Sequence, residues 1–386
     1  MGLLKINCVK TQEAFESLEA EWRALEPRML PVPFTSYDWN IAWWKHLHLE
    51  RKSVRDSLFV ITFRDEHGAL RGVAPMMLTH RPAAGPLRLA QLQFFGADQN
   101  ITEMRGIAAA VDDMATQYGA LLEYLHENRE WDWMKLTGVP AATMSKENVA
   151  AVLPSVCWTR DLFNFYLVLK PTWDEFKSGL SRNIKESLRK CNNAPKRDGL
   201  NFTFNVVTDV RQVRGALNEF FRLHSMRSQL ADTIAHPDVF AETNARDFLI
   251  EVCERFAARD ALRIFQLRNA GQVIASRIGL VSGDSVYFYY SGYDTSYSKY
   301  SVMTTTVAEG IKYCIEAGYK TVNLSTGRDV SKERWSPEET LYLEGEIVGA
   351  RLLAGMKHAA FRGLGDVLRR SLARTRLWAL IARRPQ

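Results

Sequence analysis

No uninterrupted apolar run of about 18 residues or more occurs in this 386-residue chain, and its opening MGLLKINCVK holds neither a long hydrophobic region nor a cleavage site. Neither a membrane-spanning helix nor an export signal is expected. Gly2 is followed by Ile6 where a myristoylation pattern needs Ser or Thr, which excludes that lipid anchor. Cysteine is scarce: Cys8, Cys157, Cys191, Cys253 and Cys314 are an odd, scattered set with no C-x-x-C pair and no His at ligand spacing. They read as small core hydrophobes of a reducing cytoplasm, with no metal site. The body also lacks charge of one sign. From Arg351 to Gln386 nine Lys or Arg meet only Asp366, so this tail carries +8 of a net +6 and leaves the remainder near −2. A near-neutral body lacks the basic stripe of a nucleic-acid binder, and no nucleic-acid partner is expected.

What is present is apolar and aromatic residue enough for two cores: 46% hydrophobic, with 42 Phe, Trp or Tyr. Thr11 starts an amphipathic helix over 11–26 carrying Phe15, Leu18, Trp22 and Leu25. Pro27, Pro31 and Pro33 break it, and FTSYDWNIAWWKHL (34–47) predicts an aromatic-rich helix capped by Ser36 or Thr35. SLFVITFRDEHGALRGVAPMMLTH then reads as a hairpin. Phe59–Leu78 repeats in pattern at Arg263–Leu280. Each copy is followed by a helix and a strand ending in Thr-Gly, LLEYLHENREWDWMKLTG and VAEGIKYCIEAGYKTVNLSTG. This spacing predicts an α/β chain of two similar domains, 1–160 and 161–350, plus the basic tail 351–386. Between the copies lie a strand at 163–169 and a helix whose face of Arg182, Lys185 and Arg189 points away from its apolar stripe, a solvated face or an anion site. Further helices are predicted over 210–227 and 239–259.

The chemistry concentrates near the C-terminal copy. In VYFYYSGY (286–293), strand alternation puts Tyr287 and Tyr289 on one face, Phe288 and Tyr290 on the other. Together with Tyr293 they form a candidate wall for an acceptor, or simply good strand formers. After Asp294, the next helix opens with Ser301, Thr304 and Thr305, Lys299 just ahead, a pattern suited to phosphate oxygens at a helix N-terminus or to plain capping. Arg328, Asp329, Lys332 and Trp335 follow the last strand of that unit.

These residues resemble the BioF2-like, or CelD-like, acetyltransferases of the GNAT superfamily, related to FemAB-type tandem GNAT proteins. The resemblance covers most of 10–350. Its marks are FTSYDWNIAWWKHL, SRNIKESLRKCNNAPKRDG, FFRLHSMRSQ with His224 and Arg227, and YYSGYDTSYSKYSVMTTTVAEGIKYCIEAGYKTVNLSTGRDVSKERW. It implies two tandem GNAT-like domains, each a mixed, mostly antiparallel sheet flanked by helices, the first degenerate. It also implies an acyl-coenzyme A, such as acetyl-coenzyme A, gripped by Lys299, Tyr300, Ser301, Val302, Met303, Thr304 and Thr305, and an amine acceptor on a small molecule or sugar. Val302-Met303 stands where the family often has Pro-Gly, and Ser331 where it often has Tyr. Amine acylation then nominates Asp294 or His224 as base and Tyr289 or Tyr293 as acid. Arg182, Arg189, Arg227, Tyr287, Arg328, Asp329, Lys332 and Trp335 are the candidate substrate contacts. Two rivals are a FemAB-like transferase fed by aminoacyl-tRNA and a non-catalytic adaptor of a polysaccharide or lipid assembly. The tail interleaves Leu, Phe, Val, Trp and Ile with arginines, so weak, salt-sensitive contact with the inner membrane surface is expected from an otherwise cytoplasmic protein.

Overall fold

The computed structural model describes residues 4–363, apart from 86–87, 99, 129, 153–155, 231–235 and 350. Strand β1 (Lys5–Val9) precedes α1 (Gln12–Glu16) and α2 (Glu19–Leu25). The sequence predicts one helix here. It breaks because the Ser17 hydroxyl and backbone N–H turn back onto the carbonyls of the preceding turn, although Thr11 does cap its start. Helix α3 (Tyr37–Leu47) is capped by Ser36. Its buried Asp38 meets Arg23 at 2.6 Å and, from the other half of the chain, Arg259 at 2.8 Å.

After the short strand β2 (Glu50–Arg51), strands β3 (Val54–Leu58), β4 (Val60–Arg64), β5 (Leu70–Ala74) and β6 (Met76–Arg81) realise the predicted hairpin, each arm interrupted once, at Phe59 and Pro75. Pro75 has no N–H for a ladder, so the arms bend there. The outer pieces β4 and β5 join β1 and β8 (Ala108–Ala109) in a four-stranded sheet. The inner pieces lead into the main one. Next come β7 (Leu89–Phe94), α4 (Met114–Glu127), β9 (Trp133–Pro140), α5 (Lys146–Val152) and β10 (Val156–Val168). The second half runs α6 (Trp173–Ser178), α7 (Arg182–Arg197), β11 (Phe202–Val207), α8 (Val210–Ser228), α9 (Thr243–Ala258), β12 (Leu262–Asn269), β13 (Gln272–Ser282) and β14 (Ser285–Tyr293). It ends with α10 (Val302–Glu316), β15 (Thr321–Thr326), α11 (Val330–Glu333) and β16 (Glu338–Val348).

Among the described residues the main sheet has twelve strands in the order β11-β12-β13-β14-β15-β10-β16-β9-β7-β6-β3-β2. Each half therefore contributes one strand–helix–strand unit with its two strands parallel, β7–α4–β9 and β14–α10–β15, among otherwise antiparallel neighbours. The late strand β16 pairs with β10 on one side and β9 on the other, so the halves share one sheet. One large core also spans them, packing Phe34 and Trp39 against Phe248, Tyr287 and Tyr289.

Three cysteines are buried as expected, but Cys8 is half-buried and Cys157 is exposed on β10. Residues 352–363 form a helix whose His358 and Phe361 pack on Trp133, so the first part of the basic tail lies on its own fold. Its remainder, 364–386, lies outside the described residues. Among the described residues no helix is long and apolar enough to cross a membrane.

Candidate active site

β14 and β15 run side by side only where Ser285–Tyr287 face Thr321–Asn323, and beyond that they part. Separation leaves the facing strand edges without ladder partners, so their backbone groups can meet a ligand. β14 is also bulged. Arg277 of β13 pairs with Ser291 and Gly279 with Phe288, giving β14 one extra residue between these points. The bulge corrects the predicted alternation. Tyr290 leaves the Phe288 face and joins Tyr287 and Tyr289: the Tyr289 and Tyr290 rings meet at 4.7 Å, while Phe288 packs in a separate core with Phe265 and Ala308.

The tyrosine hydroxyls hold a loop from the other half of the chain. Tyr290 donates to the Asn100 carbonyl at 2.8 Å, Tyr289 to that of Ile101, and Tyr287 to Glu103 Oε2 at 2.6 Å. Glu103 thereby enters the V between β14 and β15, where the Thr326 N–H also reaches it. Burial raises its carboxyl above the usual range, against the lowering effect of the Tyr287 hydrogen bond and the Lys332 charge.

Two cavities meet at this carboxylate. The outer one, of about 380 Å³, runs from Glu103 past His224, Arg227 and Tyr289 to Met303, Thr304 and Arg334. The inner one, of about 470 Å³, lies between the halves and shares Asn100, Glu103, Tyr290, Ser325 and Lys332 with it.

His224 reaches the outer cavity because α8 packs flush on β14. A Cβ on Gly292 would lie 2.3 Å from the His224 backbone nitrogen, so only glycine permits that approach. Its Nδ1 lies 3.0 Å from the Ser291 carbonyl, which makes Nδ1 the protonated nitrogen and leaves Nε2 a bare acceptor. Nε2 is buried without a hydrogen-bond partner, with Asp238 3.8 Å away, and burial lowers the imidazole pKa. Arg277 donates to the Phe288 and Tyr289 carbonyls at the bulge, and burial brings its pKa down to about 10. Lys332 donates to the carbonyls of Thr326 and Gly327, its pKa lowered by burial.

The expected phosphate segment divides. Ser301 is left-handed at φ 52° and makes no side-chain cap; its carbonyl accepts from the N–H groups of Thr304 and Thr305 at 2.8 and 3.3 Å. Tyr300 and Val302 are core residues, and exposed Lys299 pairs with Asp198 at 3.2 Å. Met303 and Thr304 line the cleft, and Arg334, which has no carboxylate partner among the described residues, lies 3.5 Å from the Thr304 hydroxyl. Thr305 faces the opposite side of α10, over a groove shared with Arg189 of α7.

Among the other expected contacts, His224, Arg227, Tyr289, Asp329, Lys332 and Trp335 converge on the outer cavity, and Tyr287 stands one bond behind it through Glu103. Asp294 does not: its carboxylate accepts from the N–H and hydroxyl of Ser296 and caps a short turn. Tyr293 lies beside the Arg227 guanidinium outside that lining, Arg182 is a surface residue paired with Glu186, and Arg328 covers the Phe163 ring and pairs with Glu339.

Residues 180–334 match the acetyltransferase (GNAT) domain family. The match covers less than half of the chain. Its helix α10 and parting strands β14 and β15 lie within that match. No curated protein matches the chain. Among solved structures, FemX is 10% identical and aligns over 91% of this chain and 99% of its own with a TM-score of 0.57. A conserved protein of unknown function from Bacteroides thetaiotaomicron is 12% identical over 89% and 100%, with a TM-score of 0.51. At such identities the likeness is one of fold, a mixed α/β architecture extending through both halves.

Four residues of the cleft escaped sequence reasoning: Glu103, Asn100, Arg277 and Arg334. Arg277 had a signal, a cation at the centre of the apolar strand QVIASRIGL, where arginine stays buried only with partners. Glu103 had a weaker one, a lone carboxylate in ITEMRGI. Among the described residues no cluster of three or more His, Cys, Asp or Glu could hold a metal ion.

Proposed function

We propose that the chain is an N-acyltransferase that takes its acyl group from an acyl-coenzyme A and delivers it to the amine of a small molecule or sugar. One observation carries this reading: the outer cavity joins an arginine without a carboxylate partner among the described residues, beside a helix start, to a parted strand edge and a partly buried carboxylate. Arg334, Thr304 and the first free N–H groups of α10 fit the phosphates of the donor. The edge of β14 offers backbone N–H groups to the thioester carbonyl as its oxygen gains charge.

Glu103 lies where the cavities join and is the proposed proton acceptor from the attacking amine, its raised pKa suiting the task. The hydroxyls of Tyr287, Tyr289 and Tyr290 already donate to Glu103 and the loop carbonyls, so Lys332 is the proposed proton source for the leaving thiolate. His224, bonded to the backbone of β14, positions that strand. The fold shared with FemX keeps a second reading in play, an aminoacyl donor in place of acyl-coenzyme A.

Calorimetry separates the two. Acetyl-coenzyme A is expected to bind with a Kd of about 1–100 μM, and Arg334→Gln to weaken it about tenfold, roughly 1.4 kcal/mol. Absence of binding by both acetyl-coenzyme A and coenzyme A would overturn the acyl-coenzyme A reading.

A further inference from the structure

The inner cavity carries a charge arrangement that the donor does not use. Arg105, Lys135, Arg160, Glu344 and Glu346 line it along with the shared Glu103 and Lys332. Arg160 pairs with Glu344 at 3.1 Å, and Glu346 has Arg362 at 3.7 Å. Arg105 and Lys135 are left with no ion pair and no hydrogen bond among the described residues, although burial lowers the pKa of both. Lys135 rests on the Trp133 ring at 5.3 Å. Beside them the Thr137 hydroxyl, on a residue only 7% exposed, is buried without a partner. Partly buried cations without partners and a buried unmet hydroxyl are groups that a bound anion would complete.

We propose that the inner cavity holds the acyl acceptor by an anionic group, a carboxylate or a phosphate, seated at Arg105, Lys135 and Thr137, with its amine at Glu103. The inference rests on the acyltransferase reading of the same cleft and narrows it. The acceptor is an amino acid or a phosphorylated amine, and a polyamine is excluded because its second cation would face two more.

Binding of coenzyme A, measured first, tests the donor reading by itself and serves as the folding control for Arg105→Gln, Lys135→Gln and the double variant, all expected to retain it. The coenzyme-saturated protein is then titrated with inorganic phosphate and, separately, succinate while its thermal midpoint is followed. At least one anion is expected to stabilise the wild type, with an apparent affinity at least tenfold weaker in the double variant. A response to phosphate alone assigns a phosphorylated amine, and to succinate alone an amino acid. Turnover of matched pairs, L-lysine against cadaverine and glucosamine 6-phosphate against glucosamine, is expected to favour the anionic member at least tenfold in kcat/KM. Equal anion responses in wild type and double variant, or a preference for the member lacking the anion, would overturn the proposal.

Discussion

The two strand–helix–strand units share a plan and differ in what occupies the gap between their parallel strands. In the second half, β14 and β15 part around a cavity of about 380 Å³. In the first half, β7 and β9 pair only at Gln91–Leu92 with Trp133–Met134. There the chain's own loop fills the space. Gly138 of β9 lies so close to it that a Cβ would stand 1.3 Å from the Arg105 carbonyl oxygen. Tyr118 closes the arrangement by donating to the Gly138 carbonyl at 2.9 Å, and the cavity beside Tyr118, Gly138 and Arg105 is about 20 Å³, room for about one water. The same loop carries Asn100, Glu103 and Arg105 to the two cavities. A closed unit thus supplies side chains to an open one.

The largest expected effect tests that supply. Glu103→Gln keeps the shape and the acceptor for Tyr287 but removes the base. A fall in kcat of about 10²–10³ is expected, with the affinity for acetyl-coenzyme A unchanged. The raised pKa adds a sign. A carboxyl whose folded pKa lies above its unfolded value contributes stability below the unfolded pKa and loses it as pH rises through the folded one. At neutral pH the partly buried charge is therefore a cost, and Glu103→Gln should raise stability by about 1 kcal/mol, the usual size of such relief at a functional site. In the wild type, kcat/KM should climb as pH rises through that raised pKa, and the variant should lose this limb. A variant of normal turnover would return the base to His224.

Next in size is a pair of glycine substitutions at the dipeptide both halves share. Gly138→Ala meets backbone at 1.3 Å and a φ of 69°, and should cost more than about 3 kcal/mol in urea unfolding. Gly327→Ala has a φ of 83° but nothing within 4 Å, and should cost about 1 kcal/mol. Equal costs would mean that the first gap is not closed as described.

Local patterns made much of this legible. Hairpin 57–80, helices α8, α9 and α10, the tyrosine strand and the repeated Thr-Gly were readable because apolar periodicity and turn residues act within a few positions. Of the residues expected in a hydroxyl-rich grip at 299–305, Met303 and Thr304 line the outer cavity, and the cation beside them was not foreseen, since Arg334 reaches Thr304 from 30 residues away. Glu103 was illegible for the same reason on a larger scale: Tyr287, which orients it, lies 184 residues on. Tyr290 was misplaced because a bulge shifts side chains by one position, and no residue type in VYFYYSGY announces the extra residue.

The smallest effect concerns the contact that joins the two units. Tyr290→Phe removes one hydroxyl, the 2.8 Å bond to the Asn100 carbonyl, and leaves its ring among Phe240, His224 and Tyr289. One partly exposed neutral hydrogen bond is worth about 1 kcal/mol. If that bond only stabilises the fold, unfolding free energy should fall by that amount with kcat unaltered. If it holds Glu103 in register with the parted strands, the KM for the acceptor should rise about threefold to fivefold while the affinity for acetyl-coenzyme A stays fixed. We expect the second outcome, because the loop's two other tyrosine anchors, from Tyr287 and Tyr289, are buried and keep the chain folded, leaving only the placement of Asn100–Glu103 to loosen.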